Sequence, residues 1–182
     1  MMTITRTIAT CLVAFVGLVP AVAVGQTPTD PLSAALKRQW DGVALNLKES
    51  AEVMPADKYG FKPSPDVKTF AGEMGHAANT HYFFCARIKG EANPNKMDFE
   101  KETSKDALVK AVTASNEYCS AVISAANDKW LMEMVGQGPQ AQPRGAVLSA
   151  HIAHSNETYG TVGPYLRMSG IVPPSTARAM KK

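Results

Sequence analysis

Val147-Leu148-Ser149-Ala150-His151-Ile152-Ala153-His154-Ser155-Asn156-Glu157-Thr158 lies inside a longer stretch, about Arg144 to Met168, that reads as one helix. His151 and His154 are three positions apart and Thr158 follows four later, so all three fall on one stripe with Val147 and Tyr165. That stripe faces a helical core if Val147 and Tyr165 do. Gly170 and Pro173-Pro174 close the stretch, as expected where a helix must stop.

Three more helical patterns precede it. Asp30 reads as an N-cap with Pro31 at the first helical position, and Leu32, Leu36, Trp40, Val43 and Leu47 then recur at helical steps as far as Met54-Pro55. Ala56 to Pro65 suits no regular element, and its Tyr59 and Phe61 are expected to cover one end of the helices. A second helix is predicted from about Asp66 to Ile88, with Phe70, Met74, Ala77, Phe84 and Ile88 on one face and a stop at Lys89-Gly90. A third begins after Thr103 or Ser104, with Asp106 in its first turn, and continues through Leu108, Val112 or Ala111, Ser115, Tyr118 or Cys119, and Val122. Asn127 to Pro143 is a long connection with one short helical turn near Lys129 to Met132. No stretch alternates with a period of two, so the fold class is all-α, four antiparallel helices around one core.

The N-terminus has the order of a secretory signal peptide. Arg6 is the only charge before an apolar run, Ile8 to Val19; Pro20 and small residues follow, with cleavage after Ala23 or Gly25. The run is shorter than a bilayer span, so no stable membrane span is expected after cleavage. The mature chain is then residues 26–30 as a linker, 31–176 as the bundle and 177–182 as a basic tail, read as a solvated end. The net charge of +3 falls to about +2 without Arg6, and no Lys/Arg run points to nucleic acid. Cys11 leaves with the peptide. Cys85 and Cys119 remain; export permits a disulfide, while two buried free thiols are the slightly favoured alternative.

The chain has four histidines, His76 and His81 on the second helix, His151 and His154 on the fourth. Imidazoles converging from different helices are how bundles hold metals, and they suit zinc, nickel, copper or iron. The structural alternative is ordinary core or surface histidines. No nucleophile arrangement, Cys-x-x-Cys pair or phosphate loop competes. On the helical wheel His81 lies nearer than His76 to the centre of the Phe70/Met74/Phe84/Ile88 face. Pro164 lacks an N–H and opposes the carbonyl of Gly160, which predicts a kink or opening between them.

The segment Thr69-Phe70-Ala71-Gly72-Glu73-Met74-Gly75-His76-Ala77-Ala78-Asn79 resembles the metal-histidine helix of DinB-like proteins. His154-Ser155-Asn156-Glu157-Thr158-Tyr159-Gly160, then Tyr165-Leu166-Arg167 and Gly170-Ile171-Val172-Pro173-Pro174-Ser175, is similar to the closing signature of that family, and Tyr59-Gly60-Phe61-Lys62-Pro63 also fits. The resemblance covers essentially the whole mature chain and implies a four-helix bundle. It also implies a divalent metal, zinc or nickel, on three histidines, one from the second helix and two from the fourth at an i, i+4 spacing. By position these are His76, His154 and residue 158, which is Thr158 here. The implied site is one ligand short. His151 or His81 could substitute, as could Glu157, although Glu157 points about 100° away from Thr158 on the helix.

Characterised relatives of that family include metal-dependent thiol transferases and a thiol-dependent isomerase. Two functions follow: a metal-dependent transferase or hydrolase using His76 and His154, or a non-catalytic binding module that keeps the bundle without the metal. The resemblance also raises a homodimer; the identity of any small-molecule ligand is open.

Overall fold

A computed structural model describes residues 29–181; the leader reading of residues 1–25 lies outside them. The chain forms α1 (Pro31–Val53), α2 (Phe70–Lys89), α3 (Lys105–Ser124), a single turn α4 (Asp128–Leu131), α5 (Arg144–Met168) and α6 (Pro174–Ala179). The four long helices are those read from periodicity. α2 packs on α3 and α5, and α1 packs on the same two helices, so α1 and α2 stand diagonally across the bundle. The α1–α2 connection therefore crosses one end of the bundle. Tyr59 within it is fully buried, and its hydroxyl donates to the Ala51 carbonyl at 2.5 Å. The core includes Trp40, Leu47, Met74, Ile88, Leu108, Ile123, Leu148 and Leu166. Truncating any such side chain to alanine would cost about 2–5 kcal/mol.

The ends of the first helix and of the α4 turn are tied together. Asp30 does not cap α1 with its own side chain; its Oδ1 accepts from the Asp128 amide at 2.9 Å. The Asp128 carboxylate in turn accepts from the amides of Leu32 at 3.2 Å and Ser33 at 2.7 Å. Two helix N-termini thus satisfy each other's orphan donors, and the positive ends of both helices face a carboxylate.

Several expectations are corrected. α2 begins at Phe70 rather than Asp66. Thr69 caps it, accepting from Gly72 N at 3.0 Å, while the amides of Phe70 and Ala71 donate to the carbonyls of Phe61 and Tyr59 at 2.8 Å each. Those loop carbonyls take the donors that an earlier start would have needed. The long connection holds a two-residue antiparallel ladder, Met134–Val135 against Gln142–Pro143, too short to show a period. α5 continues as a helix through Pro164, with Val162, Tyr165 and Leu166 buried on either side. The missing hydrogen bond does not open it, because the flanking side chains are held by the core. Arg178 is not a solvated end: α6 brings its guanidinium onto Glu49 and Asn46 of α1.

The reading of Cys85 and Cys119 as free thiols is also overturned. Their Cα atoms are 5.3 Å apart and the side chains form a disulfide joining α2 to α3. Both positions face the core, and α2 and α3 are close neighbours in the bundle. That separation lies within the range a disulfide requires.

Candidate functional site

A small cleft of about 160 Å³ opens between α2 and α5, lined by Lys68, Glu73, His76, His154, Glu157, Thr158 and Thr161. His76 and His154 face each other across it, with their Nε2 atoms 3.0 Å apart. On the other side of the His76 ring, Nδ1 lies 2.8 Å from Glu100 Oε1. Glu100 also receives Lys68, whose Nζ is 3.0 Å from Oε2. An ionised carboxylate only accepts, so His76 Nδ1 carries the proton and His76 Nε2 presents a lone pair to the cleft. The 3.3 Å approach of Lys68 Nζ to His76 Nδ1 is then two donors sharing one acceptor. The Glu100 carboxyl feels burial, which raises its pKa, but hydrogen bonds from His76 and Lys68 prevail and hold it below the usual carboxylate range.

Glu100 reaches the site through the 98–101 segment, a 3₁₀ turn lying directly against α2. Gly75 makes this approach available: a Cβ there would collide with the Phe99 carbonyl and the Glu100 amide. Asn79, one turn after His76, clamps the same segment. Its Oδ1 accepts from Phe99 N at 3.2 Å, and its Nδ2 donates to Asp98 Oδ1 at 3.1 Å. Lys68 is held from the other side, its carbonyl accepting from Tyr165 Oη at 2.8 Å.

His154 is half-buried, and its pKa is lowered first by burial and then by His76. Its Nδ1 lies 3.7 Å from Glu157 Oε2. The Thr158 hydroxyl donates to the His154 carbonyl at 3.0 Å. Its hydrogen is thereby committed to the helix backbone. Glu73 is buried at the base of the cleft, where desolvation raises its carboxyl pKa against the lowering influence of Lys68 and His76.

His81 and His151 do not line this cleft. Both are fully buried, in a separate cluster with Trp40, whose indole is 5.1 Å from the His81 ring and 4.9 Å from the His151 ring. Phe84 stands between the two histidine groups, stacked on His151 at 5.1 Å and tilted against His154 at 5.8 Å. Burial pushes His81 down to about 3 and holds His151 well below the usual histidine range. His151, Cys85 and Cys119 bring three potential ligand atoms within 4.8 Å of one another.

Residues 39–162 match the sequence profile of the DinB superfamily. The chain belongs to the DinB superfamily. Solved structures similar to it include a DinB-like protein from Bacillus cereus, with 15% identity over 78% of this chain and 95% of that one and a TM-score of 0.67. A DinB-like protein from Bacillus subtilis has 21% identity over 75% of this chain and 92% of that one, with a TM-score of 0.61. A conserved protein from Enterococcus faecalis has 12% identity over 73% of this chain and 94% of that one, with a TM-score of 0.59. At these identities the likeness is one of fold. No curated protein matches the sequence.

Sequence reading named His76, His154, Thr158 and Glu157 of this cleft, and missed Lys68, Glu73 and Thr161 on its walls and Glu100 behind His76. Glu73 sits three residues before His76, so helical spacing carried a signal. Glu100 carried none: it lies in a loop and meets His76 only through packing at Gly75.

Proposed function

We propose that this DinB-superfamily protein is exported and acts as a metal-dependent hydrolase or transferase on a small substrate at the His76/His154 cleft. The observation that carries the reading is the 3.0 Å approach of the two Nε2 atoms, with the far nitrogen of His76 bound to Glu100. Two imidazole nitrogens on one tetrahedral zinc stand about 3.3 Å apart, so the pair needs to part by only a few tenths of an ångström. The carboxylate behind His76 is the arrangement that orients metal-bound histidines and raises their basicity.

His76 and His154 would hold the divalent ion, zinc or nickel, which when bound acts as a Lewis acid and lowers the pKa of coordinated water. The remaining chemistry belongs to the chain. With both Nε2 atoms engaged, the His154 proton must reside on Nδ1, where Glu157 is the nearest carboxylate. Glu73, whose carboxyl pKa burial raises, lines the same cleft and is the carboxyl placed to exchange a proton there. Lys68 and Glu100 fix the His76 tautomer.

Export is supported by the leader-like residues 1–25 and by the Cys85–Cys119 disulfide, a bond favoured by oxidising compartments. The test is metal content and calorimetric titration of the mature chain prepared without a histidine tag. Uptake of one zinc or nickel, lost in His76→Ala and His154→Ala, is the expected result. A chain that stays far below one equivalent under metal excess sinks the reading.

One observation favours the second reading, a bundle that keeps a pocket without a metal. The Thr158 hydroxyl donates to the helix backbone, and among the described residues no His, Cys, Asp or Glu joins the His76/His154 pair as a third ligand within the same sphere. Failure of metal uptake alongside retained folding would select it.

A further inference from the structure

We propose that reduction of the Cys85–Cys119 disulfide unmasks a second site, distinct from the cleft, in which both thiolates and His151 bind a soft divalent cation such as zinc. His151 Nε2 lies 3.6 Å from Cys119 Sγ. Bond lengths of about 2.3 Å to sulfur and about 2.0–2.1 Å to nitrogen, at a tetrahedral angle, place such a pair of ligand atoms about 3.6 Å apart. The nitrogen and one sulfur already stand at the spacing of a shared ion. Only the two sulfurs must separate, to about 3.8 Å, which breaking their bond permits.

The surroundings point the same way. His81 Nε2, His151 Nδ1 and Asn116 Oδ1 are buried polar atoms without hydrogen-bond partners. Orphans of this kind are few in a folded core and call for a cause. Ser115 Oγ donates its single hydrogen to the Val112 carbonyl at 3.0 Å, so at 3.2 Å it can only accept from His81 Nδ1. His81 Nε2 thus faces the core without a hydrogen-bond partner within 3.5 Å, beside the Asn116 side chain. Burial also keeps His81 and His151 neutral, the form a metal needs. Phe84 and Trp40 wall the cluster from the cleft and from water.

The chemistry balances with a dithiol or phosphine reductant. Two electrons cleave the S–S bond to give two thiols; a dithiol reductant becomes its own disulfide, a phosphine in water becomes its oxide. A divalent ion then displaces the two thiol protons, and the two thiolates neutralise its charge, which makes burial tolerable. The oxidised protein offers no thiolate and binds nothing here.

The experiment uses the full mature chain in a His76→Ala/His154→Ala background, so that the cleft contributes no metal. The protein is titrated with cobalt(II), oxidised and then reduced with a phosphine. Expected are thiolate-to-cobalt charge-transfer absorption at one equivalent in the reduced form only, displacement of cobalt by zinc, and no such band in C119S. H151Q, which keeps both thiols, should weaken cobalt binding by about tenfold or more. Helical circular dichroism is followed throughout, so that a C119S variant that unfolds is set aside and H151Q carries the test. A folded, reduced chain without the band overturns the proposal. So does an unchanged affinity in H151Q, the same band in oxidised protein, or a reduced chain that loses its helicity and does not recover it with metal.

Discussion

Glu100 and His76 are 24 residues apart in the chain and 2.8 Å apart in the fold. The pair sets the tautomer of the one cleft histidine whose lone pair faces its partner, and it exists because a loop lies flush against a helix. It therefore makes the function of the cleft depend on a residue outside every long helix. Glu100→Gln should leave the bundle folded and weaken zinc or nickel binding by about 10–100-fold in calorimetric titration. An unchanged affinity would separate Glu100 from the site.

Thr158 is buried on the cleft wall, one turn after His154. Thr158→His adds an imidazole at the position where the family resemblance expects one. The variant should bind metal at least tenfold more tightly, since a third nitrogen completes the usual ligand number (about 1.4 kcal/mol or more). Equal affinity in the variant and the natural chain would show that the cleft cannot seat a third ligand.

Gly75 has no room for a side chain against the Phe99 carbonyl. Gly75→Ala should cost about 1–3 kcal/mol in urea unfolding, by forcing the 98–101 segment off α2. It should also reduce metal binding in the same direction as Glu100→Gln. Loss of stability with full metal affinity would mean that Glu100 is held in place by other contacts.

The buried histidines give stability a defined pH dependence. Burial, the first cause, pushes the His81 pKa from 6.5 down to about 3 in the folded chain and lowers that of His151 in the same direction. Below the unfolded value the unfolded chain binds protons that the native chain refuses, so the stabilisation is complete above about pH 6.5 and is lost as pH falls. Between pH 6.5 and the carboxylate range, unfolding free energy should fall by about 1.4 kcal/mol per pH unit for each histidine. Chemical denaturation at a series of pH values measures the slope, and H81Q should reduce it by about half. A flat profile over that interval excludes buried neutral histidines.

The disulfide closes a loop of 34 residues. Removing it in a C85A/C119A chain should cost about 4 kcal/mol from the entropy of the unfolded chain, with cavity effects added. Reversible unfolding of the two proteins gives the difference directly, and a loss below about 1 kcal/mol would point to residual structure in the reduced unfolded state.

Much of this fold could be read without coordinates. The α5 bounds agree with Arg144 and Met168, because Pro143 and Gly170 punctuate the sequence at both ends. The α2 start did not, because what ends the helix there is a pair of loop carbonyls and not a residue type. The wheel correctly selected His81 as the buried histidine of α2, since burial follows the apolar face. It set His76 further from that face, and His76 meets His154 only when α2 and α5 are packed.

Local periodicity, capping residues and punctuation by proline and glycine are properties of neighbouring residues, so the sequence by itself determined the long helices and their faces, while the ligand gap at Thr158 is what the family resemblance implies. Pairings across the bundle depend on which helices lie side by side and how closely their backbones approach. Only the tertiary structure could therefore decide that Cys85 bonds Cys119, that Arg178 rests on α1, and that Glu100 reaches His76 over the bare Cα of Gly75.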